Sequence, residues 1–173
     1  MAENFKSCLV TVLGVEGGFV NNPKDPGGAT NLGVTLAVWQ QWVGHAVTAT
    51  DIKALTPDDV APLYLRNYWN ADQCEALPSG LDLCVFDSAV NNGDGRAAII
   101  LQNLIGAKPD GAIGSATRAA VLAYVAKVGL AQTIDNYLNA RLAFYKTLSG
   151  YPEFGHGWTN RVALIRTAAH ALC

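Results

Sequence analysis

The sequence predicts a mainly α-helical chain with a small β-hairpin and Gly-rich turn set in just after its first helix. Three observations carry this. Apolar side chains recur at three- and four-residue steps through most of the 173 residues. A sustained period-two alternation, the mark of a half-buried sheet, is missing from the sequence. Residues 17–34 are so rich in glycine and proline that no helix passes through them.

Phe5, Cys8, Leu9, Val12 and Leu13 line one face of a first helix, which Glu16 closes and Gly17-Gly18 ends. Short extended segments near Phe19–Val20 and Leu32–Val34 are expected to flank a turn at Asp25-Pro-Gly-Gly28. Thr35 supplies an N-cap hydroxyl for a helix reaching about Val43. Thr48-Ala-Thr-Asp51 suits a loop, followed by one helical turn from Ile52 to Leu55. Thr56-Pro57-Asp58-Asp59 joins a cap, a proline at the first helical position and acids in the first turn. A helix therefore starts there and runs to about Tyr68. Pro78-Ser-Gly80 breaks the chain. Leu81, Cys84, Val85, Ser88 and Ala89 form the next helical face, which ends at Asn91-Asn-Gly93. Further helices are expected over residues 95–105, 115–126, 129–148 and 159–171.

With no linker or low-complexity stretch, residues 1–173 are expected to form a single domain. Half the residues are apolar and 15% are charged, which excludes a disordered chain. The net charge is −2 and no Lys/Arg run stands out, so no nucleic-acid partner is expected. The N-terminus lacks a basic n-region. The apolar run Cys8–Val15 ends in Glu16 without a cleavage site and is too short to span a membrane. The expectation is a chain made in a bacterial cytoplasm, without stable membrane insertion and monomeric. Cys8, Cys74, Cys84 and Cys173 form no C-x-x-C pair and have no histidine at ligand spacing. Buried or terminal thiols are the plain reading, with a Cys74–Cys84 bridge left open.

The candidate chemistry lies in residues 16–34. Glu16 stands nine positions before Asp25, and Thr30 five positions after it. Two carboxyls held apart on stiff backbone are the equipment for hydrolysing a glycosidic bond. One protonates the leaving oxygen, and the other holds the attacking water or the cationic transition state. No metal or cofactor is needed for that step. Each residue alone has a plainer reading. Glu16 is a helix-end carboxylate, although the macrodipole disfavours it there. Asp25 before proline is a turn residue, and Thr30 a turn hydroxyl. The combination shifts the reading towards catalysis. Tyr64, Tyr68 and Trp69 lie on one helix and its end, where packing competes with stacking on a sugar face. Asn91 and Asn92 are either C-caps or amides that grip N-acetyl groups. Trp158 and Arg161 read as packing residues, and His45, His156 and His170 have no Ser or Cys partner for a hydrolase triad.

Residues Glu16 to Thr35 closely resemble the signature of glycoside hydrolase family 108, the N-acetylmuramidases of phages and prophages. Tyr64-Leu-Arg-Asn-Tyr-Trp69, Phe86-Asp-Ser-Ala-Val-Asn-Asn-Gly93, Leu101-Gln102, Asp110-Gly-Ala-Ile-Gly114 with Thr117, and Gly157-Trp-Thr-Asn-Arg161 extend the resemblance over most of the chain. It implies a lysozyme-like α+β fold and hydrolysis of the β-1,4 bond between N-acetylmuramic acid and N-acetylglucosamine in peptidoglycan glycan strands. Residues 1–93 would carry the catalytic motif, and residues 94–173 resemble a peptidoglycan-binding region. By the same resemblance Glu16 is the general acid. Likeness to phage-type lysozymes makes Asp25 and Thr30 the groups that position water, with inversion at the anomeric carbon. Many relatives carry Asp where this chain has Asn22, so Asn22 is expected to hydrogen-bond substrate rather than catalyse. Tyr64, Tyr68 and Asn91 join it as expected substrate contacts. The implied biology is a phage endolysin that reaches the periplasmic wall after holin-type release. Two alternatives stand beside it: a lytic transglycosylase, against which Asp25 argues, and a non-catalytic peptidoglycan-binding protein, against which both carboxyls argue.

Overall fold

The computed structural model describes residues 3–21 and 28–173, as two compact units. One holds residues 6–67. The other holds residues 1–5 with 68–173. The division falls inside the motif-carrying segment 1–93. Among the described residues the architecture is mainly α with one two-stranded antiparallel sheet, as expected.

The smaller unit takes up helix α1 (Glu3–Val15) from Lys6 onward, and there Cys8, Leu9, Val12 and Leu13 turn inward, as the three–four spacing requires. Strands β1 (Thr30–Asn31) and β2 (Val34–Thr35) form a hairpin in which Thr30 faces Thr35 and Asn31 faces Val34. Val20 adds a bridge to Thr30 on the other side. The hairpin turn is therefore Leu32-Gly33, in the segment expected to be extended. Asp25-Pro-Gly, the expected turn, lies outside the described residues. Leu32 and Gly33 have φ of 50° and 73°, the left-handed pair that a two-residue turn between twisted strands demands. Leucine has no intrinsic preference for that region, which is why the sequence pattern hides the turn.

Three helices follow, each started by a threonine. Thr35 caps α2 (Leu36–Val43), its hydroxyl accepting from the Val38 N–H. Thr48 caps α3 (Ala49–Ala54) and Thr56 caps α4 (Pro57–Tyr64), each in a reciprocal box with Asp51 and Asp59. Helix α3 thus begins at the segment expected to be a loop, because Thr48 and Asp51 satisfy each other's N–H groups. Beyond α4 the chain widens into a π-helical turn, Leu65–Trp69. Buried Asn31 donates to the Ile52 carbonyl at 3.0 Å and reaches those of Lys53 and Leu55, which fastens the hairpin to the end of α3.

The larger unit is built round α5 (Leu81–Asn92), whose residues from Leu81 to Ala89 are all buried. Helices α6 (Asp94–Ile105), α8 (Leu130–Tyr145) and α9 (Tyr151–His170) pack on it, and α7 (Ser115–Val128) packs on α6 and α8. Trp69 meets Phe5 and Phe86 edge-on and those two rings are tilted on each other, with centroids 5.4–5.9 Å apart. Helix α9 begins at Tyr151, eight residues before its expected start. Pro152 sits in its first turn, where no backbone N–H is missed, and Gly155 lies under the Tyr151 ring, 2.8 Å from where a Cβ would stand. Cys8, Cys74 and Cys84 are buried thiols and Cys173 is an exposed one.

Candidate active site

Glu16 follows the last residue of α1. Its N–H donates to the Val12 carbonyl at 3.2 Å, so the final helical turn holds its backbone while the side chain stays half-buried. Gly17 and Gly18, both exposed, lead away from it. The carboxyl lies against the hairpin turn. A Cβ placed on Gly33 would stand 3.2 Å from Glu16 Oε2 and 2.4 Å from the Tyr64 hydroxyl oxygen. Three groups therefore converge: an acid from the end of α1, the side-chain-free backbone of an exposed turn, and a phenol from the end of α4.

The phenol is fixed in turn. Tyr64, an expected substrate contact, is instead 1% exposed, and its hydroxyl donates to the Leu32 carbonyl at 2.8 Å. That bond steadies a leucine held at positive φ, a conformation that costs about 1–2 kcal/mol for a residue with a Cβ. Gly33 escapes the same cost because it has no Cβ. Strained backbone beside a half-buried carboxyl is the kind of local conflict that functional sites hold. A carboxyl beside bare, exposed backbone can meet a bulky polymer without side chains standing between them.

Thr30 sits in β1, between the two pairings of the sheet. Its N–H donates to Val20 O at 2.8 Å and its carbonyl accepts from Val20 N at 2.9 Å. Strand alternation puts its side chain on the face opposite buried Asn31. Asp25 and Asn22 lie outside the described residues.

The remaining expected contacts belong to the larger unit. Tyr68 is half-buried on the π-helical turn. Asn91 is exposed at the end of α5, and its Oδ1 accepts from the Tyr145 hydroxyl at 2.5 Å. Asn92 accepts from the same hydroxyl at 3.0 Å. Tyr145 accepts in turn from Arg141 Nε at 2.8 Å. Burial, partly offset by the Arg141 charge, keeps the Tyr145 phenol protonated to higher pH than usual. Arg141 and Arg161 both pair with Asp87, a carboxylate with no exposed surface. Asn91 is thus positioned by a buried ionic cluster. The largely exposed Asp110-Gly-Ala-Ile-Gly loop is tied to α6: Gln102 donates to Asp110 at 2.8 Å and to Ala112 O at 3.0 Å, and accepts from Gly111 N. Hydrogen bonds from Gln102 and Ala112 hold the Asp110 carboxyl below its ordinary range.

Two site features escaped sequence reasoning. Gly33 reads as an ordinary turn glycine, and the Tyr64 hydroxyl finds its partner across thirty-two positions. The only local signal for the turn is glycine at the second central position after Asn31-Leu32.

The family model of glycosyl hydrolase 108 matches residues 9–93. The solved structure of Brucella abortus SagA is 40% identical to this chain, covering 99% of it and 97% of SagA, with a TM-score of 0.83. A search of curated proteins returned no match.

Proposed function

The chain belongs to the glycosyl hydrolase 108 family and is a glycoside hydrolase, and from that premise we propose that it cleaves the β-1,4 bond between N-acetylmuramic acid and N-acetylglucosamine in peptidoglycan. The observation that carries the proposal is the placing of the Glu16 carboxyl against the bare Gly33 backbone and the Tyr64 hydroxyl. Glu16 protonates the bridging oxygen as the sugar leaves. Asp25 holds the attacking water and offsets the charge of the oxocarbenium-like transition state, and Thr30 gives that water a second contact. Attack from the face opposite the acid inverts the anomeric carbon. Tyr68, Asn91 and Asn22 contact the glycan, and residues 94–173 add to its grip.

In this reading the enzyme is a monomeric phage endolysin. It is made in the host cytoplasm and reaches the periplasmic wall through a holin-type lesion. Among the described residues no helix is long and apolar enough to cross a membrane.

The test is mass spectrometry of muropeptides released from purified peptidoglycan. Hydrolysis leaves reducing N-acetylmuramic acid ends. Anhydro ends would make the enzyme a lytic transglycosylase, and an undigested polymer would leave it a binding protein.

A further inference from the structure

We propose that a groove in the smaller unit binds the free carboxylate and neighbouring amides of the peptidoglycan stem peptide. This rests on the muramidase reading and adds a site to it. The groove encloses about 310 Å³ and is lined by Val38, Gln41 and Trp42 of α2 and by Leu63, Arg66 and Asn67 of α4 and the π-helical turn. Both walls use positions i, i+3 and i+4, so each helix turns one continuous stripe into it. The π-helical turn widens the second wall at Arg66 and Asn67.

The chemistry of the lining selects the ligand. The Arg66 guanidinium lies over the Trp42 ring, 5.8 Å from its centroid. Among the described residues its side chain makes no ion pair or hydrogen bond, and Gln41 and Asn67 likewise keep their side-chain amides unused. Exposed and with no other partner among the described residues, the Arg66 guanidinium keeps its planar fork of N–H donors free, and such a fork takes a carboxylate through two parallel bonds. One cation suits a carboxylate better than a phosphate, which draws several. Two free amides flanking it match the carbonyl and N–H groups of a peptide, and Val38 with the indole edge matches its methyl groups. A stem peptide carries those three features together, whereas the one carboxylate of the bare disaccharide is the lactyl group on the muramic acid ring, with no peptide amides beside it.

The test separates this site from the catalytic reading by measuring binding rather than turnover. In a Glu16→Gln background, a disaccharide-tetrapeptide and the same disaccharide without peptide are titrated by NMR, reading the Trp42 indole N–H. The peptide-bearing ligand is expected to bind at least about tenfold more tightly and to shift that resonance. Arg66→Gln should erase the difference, since a charge-assisted bond is worth about tenfold or more in affinity. Arg66→Lys, which retains charge but not the fork, should restore only part. Equal binding of the two ligands, binding of neither, or an undiminished preference in Arg66→Gln would overturn the proposal. Failure of the muramidase reading would appear instead in the muropeptide analysis, which does not depend on position 66.

Discussion

The Tyr64 hydroxyl donates to the Leu32 carbonyl at 2.8 Å across thirty-two residues of sequence, beside the Glu16 carboxyl. Helix α4 thereby holds the hairpin turn in its left-handed conformation. Tyr64→Phe removes this bond and preserves the buried ring. We expect a loss of about 1 kcal/mol in urea unfolding. Turnover on peptidoglycan should fall about tenfold as the turn loosens beside the acid, because small misplacements of reacting groups are costly. An unchanged rate would show that the phenol has no part in positioning.

Gly33→Ala should do more damage. The added methyl stands 2.4 Å from the Tyr64 oxygen, on a backbone with φ of 73°. Strain alone is expected to cost about 1–2 kcal/mol, with the clash on top. Because the clash is with the hydroxyl, Gly33→Ala should cost less in a Tyr64→Phe background. A double-mutant cycle measured by denaturant unfolding reads that coupling directly.

What the sequence disclosed, and what it hid, follows one physical line. Features fixed by neighbours along the chain were legible: the inward face of α1, the Thr35 cap, the Thr56-Pro57 start of α4 and the end of α5 at Gly93. Features fixed by distant partners were not. Leu32 takes a positive φ where a strand was expected, stabilised by a phenol from another helix. Gly155 and Pro152 look like helix breakers, yet α9 runs through both because Tyr151 covers the glycine. In the site, the motif pointed to Glu16. Its setting of bare backbone and phenol appears only in three dimensions.

The buried pairing of Asp87 with Arg141 gives a stability prediction. Both side chains are fully buried. Arg141→Ala leaves a carboxylate short of its inner partner and should cost about 3–5 kcal/mol in chemical unfolding. Arg161→Ala removes a partner that is 11% exposed and should cost less. Equal, small effects would mean that the cluster does not anchor α5.

Two kinds of aspartate should move stability with pH in opposite directions. Burial raises the Asp82 carboxyl above the ordinary 3.8, although Asn4, Leu83 and Gly80 donate to it. The folded chain then binds more protons than the unfolded one just above that value. The contribution of Asp82 is present below it and lost as pH rises through the folded pKa. Hydrogen bonds from the Thr56 hydroxyl and N–H lower Asp59, so its contribution is present above 3.8 and lost as pH falls through the folded pKa. Going from about pH 6 to about pH 3, wild type should gain on Asp82→Asn and lose ground to Asp59→Asn in urea midpoints. The same sign for both pairs would contradict these assignments.

The most direct measurement is the rate at which Glu16→Gln releases reducing ends from purified peptidoglycan, beside its unfolding midpoint. Proton delivery from Glu16 predicts a midpoint close to wild type and a rate lower by about a hundredfold or more. A folded variant that releases reducing ends at the wild-type rate would mean that the proton comes from elsewhere.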